Sequence, residues 1–575
     1  MGQKWNYQPP TYEQTVAART LSAELDISPV LCSLLLKRGI TSVAEARNFF
    51  RPKLSQLHNP FLMNDMDVAV RRLNKALGKK ERILVYGDYD VDGTTAVALV
   101  YKFLQQFSSN IDYYIPDRNE EGYGISRQGV EYAYSTGVKL IIVLDCGIKA
   151  IDEIAYAKSL GIDFIVCDHH VPDKEMPCAV AILNPKRPDS TYPYPHLSGC
   201  GVGFKFMQAF AADNGIPSDQ LYPLLDLVAV SIASDLVPIM GENRIMAYHG
   251  LKQINHSPST GLKAIITVCG LVDKEISMND IIFKIGPRIN ASGRVQRGQV
   301  AVDLLIENNL NTALDVSQQI NELNEARKEL DKNMTEEANT IVEGLESFDE
   351  KRAIVIYNPD WHRGVIGIVA SRLTEVYHRP AVVMTSTGGV ATGSARSVPG
   401  FDVYKAMESC RDLLENFGGH TYAAGFSLPV DNVEAFAKRF EDFVSENILP
   451  EQMAPSIDID AEIDFYQISR RFFNDLKKFA PHGPDNQKPV FCTYNVRDYG
   501  TSKVVGRKQE HIKLELVDNK SNTVLNGIAF GQSRQAKYIK SKQSFDICYT
   551  IEDNVYKHGE VQLQIESIHT KAVRQ

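Results

Sequence analysis

Residues 83–95 read ILVYGDYDVDGTT, and this stretch decides the fold of the chain's first half. Its apolar start, residues 83–86, predicts a buried strand. Three carboxylates follow on alternate positions: Asp88, Asp90 and Asp92. Helical residues come next, so the carboxylates lie in a tight strand-to-helix turn, where they repel one another. A divalent cation relieves that repulsion, and oxygen ligands favour magnesium, manganese or calcium.

The calcium interpretation meets a direct test, because Asp-x-Asp-x-Asp-Gly also opens an EF-hand loop. That loop requires a glutamate at its twelfth position, which here is Leu99. It also follows a helix, whereas Asp88 follows a predicted strand. The sequence therefore excludes an EF-hand, and a solvated acidic turn is the alternative if the stretch is taken alone.

Composition sets broad limits on the protein. A chain of 575 residues predicts roughly two to four domains. A net charge of -9 argues against a protein that coats polyanions over its whole surface. The nine cysteines form no CxxC pair, so neither a zinc site nor a disulfide framework is indicated. Neither a secretory signal nor a membrane span is apparent, and we expect a cytoplasmic protein.

Short apolar strands alternate with helices after residue 95, which predicts an α/β domain with a doubly wound parallel sheet. Ligands of such sheets bind at the carboxyl ends of the strands. The polar residues that follow these strands, and one later helix, are Asp145, Asp168, His169, His170 and Asp235. Any one Asp at a strand end is more often a helix N-cap. A convergence of carboxylates and imidazoles favours two manganese or magnesium ions over calcium.

Several later segments carry candidate contacts to phosphate. Arg118 lies in a glycine-containing loop after a strand. Residues 197–203 (LSGCGVG) form a glycine-rich turn. Two interpretations of this turn are open: its backbone amides bind phosphate, or its glycines only permit close packing. Arginine forks match phosphate oxygens. Polar residues of this kind cluster in one later segment, as Arg288, Asn290, Arg294 and Arg297.

The second half of the chain alternates strands and helices again and then changes character. An amphipathic pattern over 316–345 predicts a long helix that connects two lobes, with a coiled-coil dimer as the alternative. Ser394, Arg396 and His420 lie among small residues, in what we predict to be a loop that accepts a 5′-phosphate. Strands with alternating polarity and many lysines follow residue 457, which favours a small basic β-barrel.

Four short motifs, taken in order, resemble those of the DHH phosphoesterase superfamily: GDYDVDG, LDCG, CDHH and ASD, the last ending at Asp235. With the later segments, the chain is similar to the RecJ family of bacterial exonucleases, which degrade single strands from the 5′ end. The resemblance implies a DHH domain, a DHHA1 α/β domain joined to it by a long helix, and a C-terminal OB-fold β-barrel. The helical pattern of residues 1–75 predicts a lead-in that packs on the first domain. The further boundaries that we expect are 76–310 for DHH, 311–345 for the connector helix, 346–450 for DHHA1 and 455–575 for the OB-fold.

The resemblance also implies a metal-dependent exonuclease that releases 5′-mononucleotides from single-stranded DNA during repair and recombination. Two cations, Mn2+ or Mg2+, are expected on the catalytic residues Asp90, Asp92, Asp145, His169, His170 and Asp235. Asp88 and Asp168 are expected to bind metal directly or to hold the ligands. The expected substrate-binding residues are Arg118, Arg288, Asn290, Arg294, Ser394, Arg396 and His420.

Two other functions compete with this reading. One is a phosphodiesterase of the same superfamily acting on oligoribonucleotides, cyclic dinucleotides or pyrophosphate. The other is a non-catalytic scaffold, against which every motif ligand is present. The family implies single-strand-binding protein and a RecQ-type helicase as partners, with no membrane, and we expect a monomer.

Overall fold

A computed structural model of the chain describes residues 3–118, 120–295, 298–345, 348–554 and 559–570. The chain forms two compact units. One comprises residues 57–237 and 241–454, and the other comprises residues 1–56, 238–240 and 455–575. Among the described residues, no helix has both the length and the apolar character that a membrane span requires.

The N-terminal segment shares its core with the C-terminal region. Its elements are β1 (Lys4–Tyr7), α1 (Tyr12–Leu25), α2 (Pro29–Lys37) and α3 (Val43–Phe50). Buried Leu34 and Leu35 of α2 belong to the same apolar cluster as Phe491 and Leu514, and β1 pairs in parallel with the strand Ser456–Ile459. The expectation that the lead-in packs on the first domain is therefore wrong for residues 1–56. An amphipathic pattern shows that a helix face is buried, but not which partner covers it.

The first α/β domain has the predicted doubly wound sheet. Its elements are α4 (Met66–Gly78), β2 (Arg82–Gly87), α5 (Val91–Leu104), β3 (Ile111–Tyr114), α6 (Arg127–Ser135), β4 (Val138–Leu144), α7 (Ile151–Ser159), β5 (Asp163–Cys167) and β6 (Ala181–Leu183). All strands of this sheet are parallel, in the order β3-β2-β4-β5-β6. Because they are parallel, their carboxyl ends meet at one edge.

Helices complete this domain and lead to the next. They are α8 (Gly199–Asp213), α9 (Leu225–Ser234), α10 (Gly241–His256), α11 (Thr260–Val268), α12 (Met278–Asp280), a π-helix (Ile281–Ile285), α13 (Gly286–Val295), α14 (Gln299–Ile306) and α15 (Leu310–Glu343). The predicted long helix is confirmed as α15, whose 34 residues extend about 50 Å. It packs against α11 and α13 and, near its other end, against the next domain.

The second α/β domain is built on a mixed sheet. Its elements are β7 (Ile354–Tyr357), α16 (Ile366–Tyr377), β8 (Ala381–Thr387), β9 (Val390–Arg396), α17 (Val403–Ser409), β10 (Asn416–His420), β11 (Ala423–Pro429) and α18 (Val433–Asn447). The strand order is β10-β11-β9-β8-β7. Ser394 and Arg396 therefore lie on an inner strand, and the predicted small-residue loop is wrong. The side chains of β9 are mostly too small to display period-two alternation in the sequence, although their burial alternates in the structure.

The C-terminal region forms the predicted barrel. Its elements are β12 (Ser456–Ile459), β13 (Ala461–Glu462), α19 (Arg470–Lys477), β14 (Phe491–Asp498), β15 (Lys503–Val505), β16 (His511–Asp518), β17 (Val524–Ala529), α20 (Ala536–Ile539), β18 (Phe545–Asp553) and β19 (Val561–Thr570). Neighbouring strands follow the order β14-β18-β19-β17-β16, and a further β14–β16 pairing closes the ring. This closed five-stranded ring confirms the OB-like barrel expected from the alternating strands.

Replacing Phe479 by alanine tests the shared core of the N-terminal segment and the barrel. The Phe479 ring is fully buried and meets Phe49 and Phe50 edge-on, with centroids 5.6 and 5.4 Å away. We expect Phe479→Ala to lower the free energy of unfolding by about 3–5 kcal/mol in urea denaturation. The control Phe530→Ala removes an exposed ring and should change it by about 0.5 kcal/mol or less. Equal effects would contradict the shared core.

Candidate metal centre and phosphate site

Acidic and imidazole side chains from four parts of the chain meet at the carboxyl edge of the parallel sheet. The turns after β2, β4 and β5 contribute most of them, and Asp235 follows the C-terminus of α9. Three groups have potential ligand atoms within 4.8 Å of one another, namely Asp88/Asp90/Asp145, Asp92/His169/Asp235 and Asp145/His169/His170. Asp145 and His169 each belong to two groups, which is the sharing expected where neighbouring cations use common ligands.

His169 lies at the centre of this cluster. Its Nε2 atom is 3.2 Å from Asp145 Oδ1, 3.6 Å from Asp235 Oδ2 and 3.8 Å from Asp92 Oδ2. Burial lowers the pKa of His169 to about 4, although Asp92 opposes the shift. The neutral ring has a lone pair on one nitrogen, which is the form that binds a metal.

Unpaired polar atoms test whether a cation fits. Among the described residues, four buried atoms of this cluster form no hydrogen bond, namely Oδ1 of Asp88, Oδ1 of Asp145 and both ring nitrogens of His169. Burial and mutual repulsion raise the pKa values of Asp88, Asp145 and Asp235 well above the usual range. Such uncompensated groups are costly in a folded protein. A divalent cation would satisfy them, and the mixture of oxygen and nitrogen donors fits Mn2+ or Mg2+.

Local backbone geometry aims two of the carboxylates. Asp90 is the N-cap of α5 and accepts a hydrogen bond of 3.0 Å from the Gly93 N–H. Asp145 has a φ of 58°. This left-handed backbone conformation is uncommon for residues other than glycine, and the residues that adopt it cluster at functional sites. The adjacent Gly199 leaves room for it, since a Cβ there would lie 2.5 Å from Asp145 Oδ1.

Asp92 is held by groups that the sequence analysis missed. Its carboxylate accepts hydrogen bonds from the N–H groups of Gly199 at 2.7 Å and Cys200 at 2.8 Å, in the first turn of α8. The Ser231 hydroxyl of α9 donates a third at 2.7 Å. Of the two interpretations of residues 197–203, phosphate binding is disfavoured for these two amides, because they bind Asp92. Close packing is supported, since a Cβ at Gly203 would lie 3.0 Å from Leu144 Cδ2. No local signal marks Ser231, which lies among apolar residues in the middle of α9.

Asp168 differs from the other acidic residues, because it belongs to none of the three ligand groups. It accepts hydrogen bonds from the N–H groups of Ile148, His169 and His170 and pairs with His170 Nδ1 at 2.7 Å. Although burial opposes the shift, this pairing raises the pKa of His170 to about 9. Asp168 therefore orients the imidazole and leaves Nε2 facing the cluster.

A group of guanidinium side chains lies beside the metal centre. Burial and the charges of Arg118, Arg327 and Arg396 lower the pKa of Arg294 to about 10. The Arg118 guanidinium stacks over the Tyr89 ring at 5.1 Å. Like charges repel, so bringing four together favours an anion such as phosphate. Arg327 was missed because it lies in the long helix, whose pattern indicated only packing.

The remaining predicted substrate residues divide into two groups. Arg396 donates a hydrogen bond of 2.9 Å to Ser394 Oγ. The pKa of His420 is lowered mainly by partial burial, and the charges of Arg396 and His170 lower it further. The effect of His170 on His420 links this group to the metal centre. Arg288 lies near the start of α13, where it donates to Asn321 Oδ1 at 2.9 Å and to the Lys284 carbonyl at 2.8 Å.

Three residues complete this description. Asn290, also in α13, is half-buried. Arg297 lies outside the described residues. Lys186 was not predicted, although it follows the end of β6 at the same sheet edge; burial lowers its pKa, and Asp235 and Asp168 oppose that shift.

Family models match three parts of the chain. The DHH family N-terminal domain matches residues 82–232, the DHHA1 domain matches residues 350–446 and the RecJ OB domain matches residues 459–567. The first contains Asp88 and all strands of the parallel sheet, and the second contains the mixed sheet.

Several curated relatives have the name single-stranded-DNA-specific exonuclease RecJ. The chain is 35% identical to that of Bacillus subtilis over 92% of this chain and 66% of the relative, about two thirds of its length. It is 33% identical to that of Salmonella typhimurium, covering 96% of this chain and 97% of the relative. A crystal structure of Thermus thermophilus RecJ in complex with Mn2+ superposes with a TM-score of 0.83 and 25% identity, covering 99% of this chain and 79% of that one.

Removing the Ser231 hydroxyl tests how Asp92 is held. We expect Ser231→Ala to weaken Mn2+ binding by roughly ten-fold or more, because partners that orient ligands typically contribute that much. Isothermal titration calorimetry measures the affinity. The control Ser317→Ala removes a buried hydroxyl that has no hydrogen-bond partner among the described residues and should leave the affinity unchanged. An unaltered affinity in Ser231→Ala would mean that the α8 amides alone suffice.

Proposed function

The chain belongs to the RecJ family of single-stranded-DNA-specific exonucleases, and from this premise we propose that it removes 5′-mononucleotides from the 5′ end of single-stranded DNA, in repair and recombination. The observation that carries the proposal is the convergence of three cation-binding groups with a set of arginines in one unit of the fold. Phosphodiester hydrolysis needs both, because charge develops on phosphate oxygens as the bond breaks.

The centre takes two divalent cations, Mn2+ or Mg2+. When bound, such a pair activates a water molecule and stabilises the leaving oxygen. In our proposal the cations are held by Asp88, Asp90, Asp92, Asp145, His169, His170 and Asp235. Asp168 fixes the His170 ring, while Ser231 and the α8 amides fix Asp92. No side-chain nucleophile is required.

The arginines bind the substrate's phosphates. We assign the 5′-terminal phosphate to Arg118, Arg294, Ser394 and Arg396, with His420 at its edge. The support is that Arg118 and Arg396 lie close enough to Arg294 to lower its pKa. An anion placed among them would gain charge-assisted hydrogen bonds. Arg288 and Asn290, which precede Arg294 in α13, would contact the strand beyond that phosphate.

The C-terminal barrel would bind the single strand itself. Lys503 and Lys513 lie directly opposite each other on β15 and β16, and both are exposed. Like charges at paired positions destabilise a sheet unless an anion lies nearby. An OB-type barrel with lysines along its strands suits a nucleic-acid backbone without sequence preference.

Other features of the proposal rest on the family alone. Single-strand-binding protein and a RecQ-type helicase would supply the substrate, the protein would act as a monomer, and its site of action would be the cytoplasm, where bacterial DNA lies. No observation favours the alternative phosphodiesterase for oligoribonucleotides or cyclic dinucleotides, whereas the match to the RecJ OB domain favours the exonuclease.

End-labelled oligonucleotides test this function directly. With Mn2+, the wild-type protein should shorten single-stranded DNA from the 5′ end and leave a blunt duplex intact. Asp145→Ala should lower the rate more than about 10³-fold, because several kcal/mol of charge stabilisation are lost. Strand binding, followed by fluorescence anisotropy, should persist. Digestion of a cyclic dinucleotide in preference to DNA, or turnover by Asp145→Ala, would contradict the proposal.

Arg396→Ala tests the phosphate site separately. We expect the Michaelis constant for a 5′-phosphorylated strand to rise roughly ten- to 100-fold, since a hydrogen bond between charged groups is lost. The constant for a 5′-hydroxyl strand should change little, so the preference between the two ends should diminish. The matched control Arg439→Ala removes an exposed arginine paired with Asp412 on the same domain. Undiminished preference in Arg396→Ala would contradict the assignment.

A further inference from the structure

One loop of the first α/β domain carries two groups that face the metal centre. Residues 115–118 and 120–126, the described residues between β3 and α6, belong to no helix or strand. Arg118 lies over the Tyr89 ring, and its charge lowers the pKa of Asp88, although burial dominates that pKa and raises it. The Tyr123 hydroxyl is 3.4 Å from His170 Nε2, and its ring meets Tyr89 edge-on.

Arg118 experiences repulsion in this position. Burial is the main cause that lowers the pKa values of Arg294 and Arg396, and the charge of Arg118 lowers both further. The three guanidiniums therefore lie close together. Gly122 and Gly124, which flank Tyr123, both have positive φ values, of 87° and 83°. A glycine-containing loop loses much conformational entropy on ordering. Besides the contact with Tyr89, interactions that order the loop itself are therefore needed to hold Arg118 before a phosphate binds.

The carboxylate of Glu121 lies within this loop and accepts several hydrogen bonds from it and from its two ends. Its Oε1 accepts from the Asp117 N–H at 2.8 Å. The Tyr114 hydroxyl is 3.1 and 3.0 Å from the two carboxylate oxygens, and the Ser126 hydroxyl donates to Oε2. Tyr114 ends β3 and Ser126 is the N-cap of α6. One side chain thus ties the loop to the strand before it and to the helix after it.

The donors around Glu121 explain why a carboxylate is needed. Two hydroxyls and one N–H point at its two oxygens, and an ionised carboxylate offers only acceptors. A glutamine keeps the shape but replaces one acceptor by a donor. Glu121 belongs to none of the three ligand groups of the metal centre. Its contribution to catalysis must therefore act through the loop.

We propose that Glu121 is a positioning residue that holds Arg118 and Tyr123 over the metal centre and thereby sets the preference for a 5′-phosphorylated end. This inference rests on the proposed function, because it assigns Arg118 to the terminal phosphate. Preorganisation reduces the cost of ordering charged groups when the substrate binds. Without preorganisation, each binding event includes the free-energy cost of ordering the loop, which raises the Michaelis constant more than it lowers kcat.

The test compares Glu121→Gln and Glu121→Ala with the wild-type protein on 5′-phosphorylated and 5′-hydroxyl oligonucleotides. We expect a roughly five- to 30-fold rise in the Michaelis constant for the phosphorylated strand in Glu121→Ala, and a smaller rise in Glu121→Gln. The constant for the hydroxyl strand and the Mn2+ affinity should stay within about two-fold. Glu120→Ala removes an exposed carboxylate from the same loop and serves as the matched control.

A double variant separates positioning from an independent effect. If Glu121 acts through Arg118, then Arg118→Ala combined with Glu121→Ala should lose little more than Arg118→Ala alone. Full additivity, an unchanged preference between the two ends, or loss of Mn2+ binding with the phosphate preference would overturn the inference. A wild-type protein without exonuclease activity would instead contradict the proposed function, so the two failures are distinguishable.

Discussion

The structure depends on one electrostatic constraint, which is the burial of several carboxylates at a single sheet edge. Parallel strands end together, so the turns after β2, β4 and β5 bring Asp88, Asp145 and Asp168 into one small region. Without compensation, burial and mutual repulsion favour the protonated acids, and the pKa values of Asp88 and Asp145 rise accordingly. The fold tolerates this cost because divalent cations remove it when they bind. The same buried carboxylates thus supply the ligands for the cations and repel one another when no cation is bound.

Hydrogen bonding divides the acidic residues into two classes. Asp92 and Asp168 accept several hydrogen bonds from backbone N–H groups and side chains, which fixes their orientation. Asp88, Asp145 and His169 retain buried atoms that form no hydrogen bond within the described part of the chain, so they are the groups with the most to gain from a cation. Because hydrogen bonds already fix Asp92, a bound ion would meet at least one ligand that needs little reorganisation. The arginines beside the cluster are likewise partly buried groups of one charge, and a bound anion would relieve their repulsion.

Particular elements show where sequence reasoning succeeded and where it failed. The parallel sheet, the long helix α15 and the closed barrel were predicted, because apolar period and length report directly on such elements. The small-residue strand β9 was predicted as a loop, since its side chains carry too little contrast between its two faces. The packing of residues 1–56 was predicted wrongly, because burial of Leu34 and Leu35 does not identify the partner that covers them. Ser231 and Arg327 went unnoticed, since their roles depend on neighbours distant in the sequence.

The sequence by itself determined which chemical groups are available and which strand ends carry them. Short motifs specify carboxylates and imidazoles at the ends of apolar runs, and parallel strands bring those ends to one edge. Only the tertiary structure decided how these groups divide their tasks: which carboxylates are held by amides, which remain unpaired, and which arginines repel one another beside them. The physical reason is that the strand pattern is encoded by neighbouring residues, whereas hydrogen bonds and charge interactions depend on distances between residues that may be a hundred or more positions apart, such as Asp92 and Ser231.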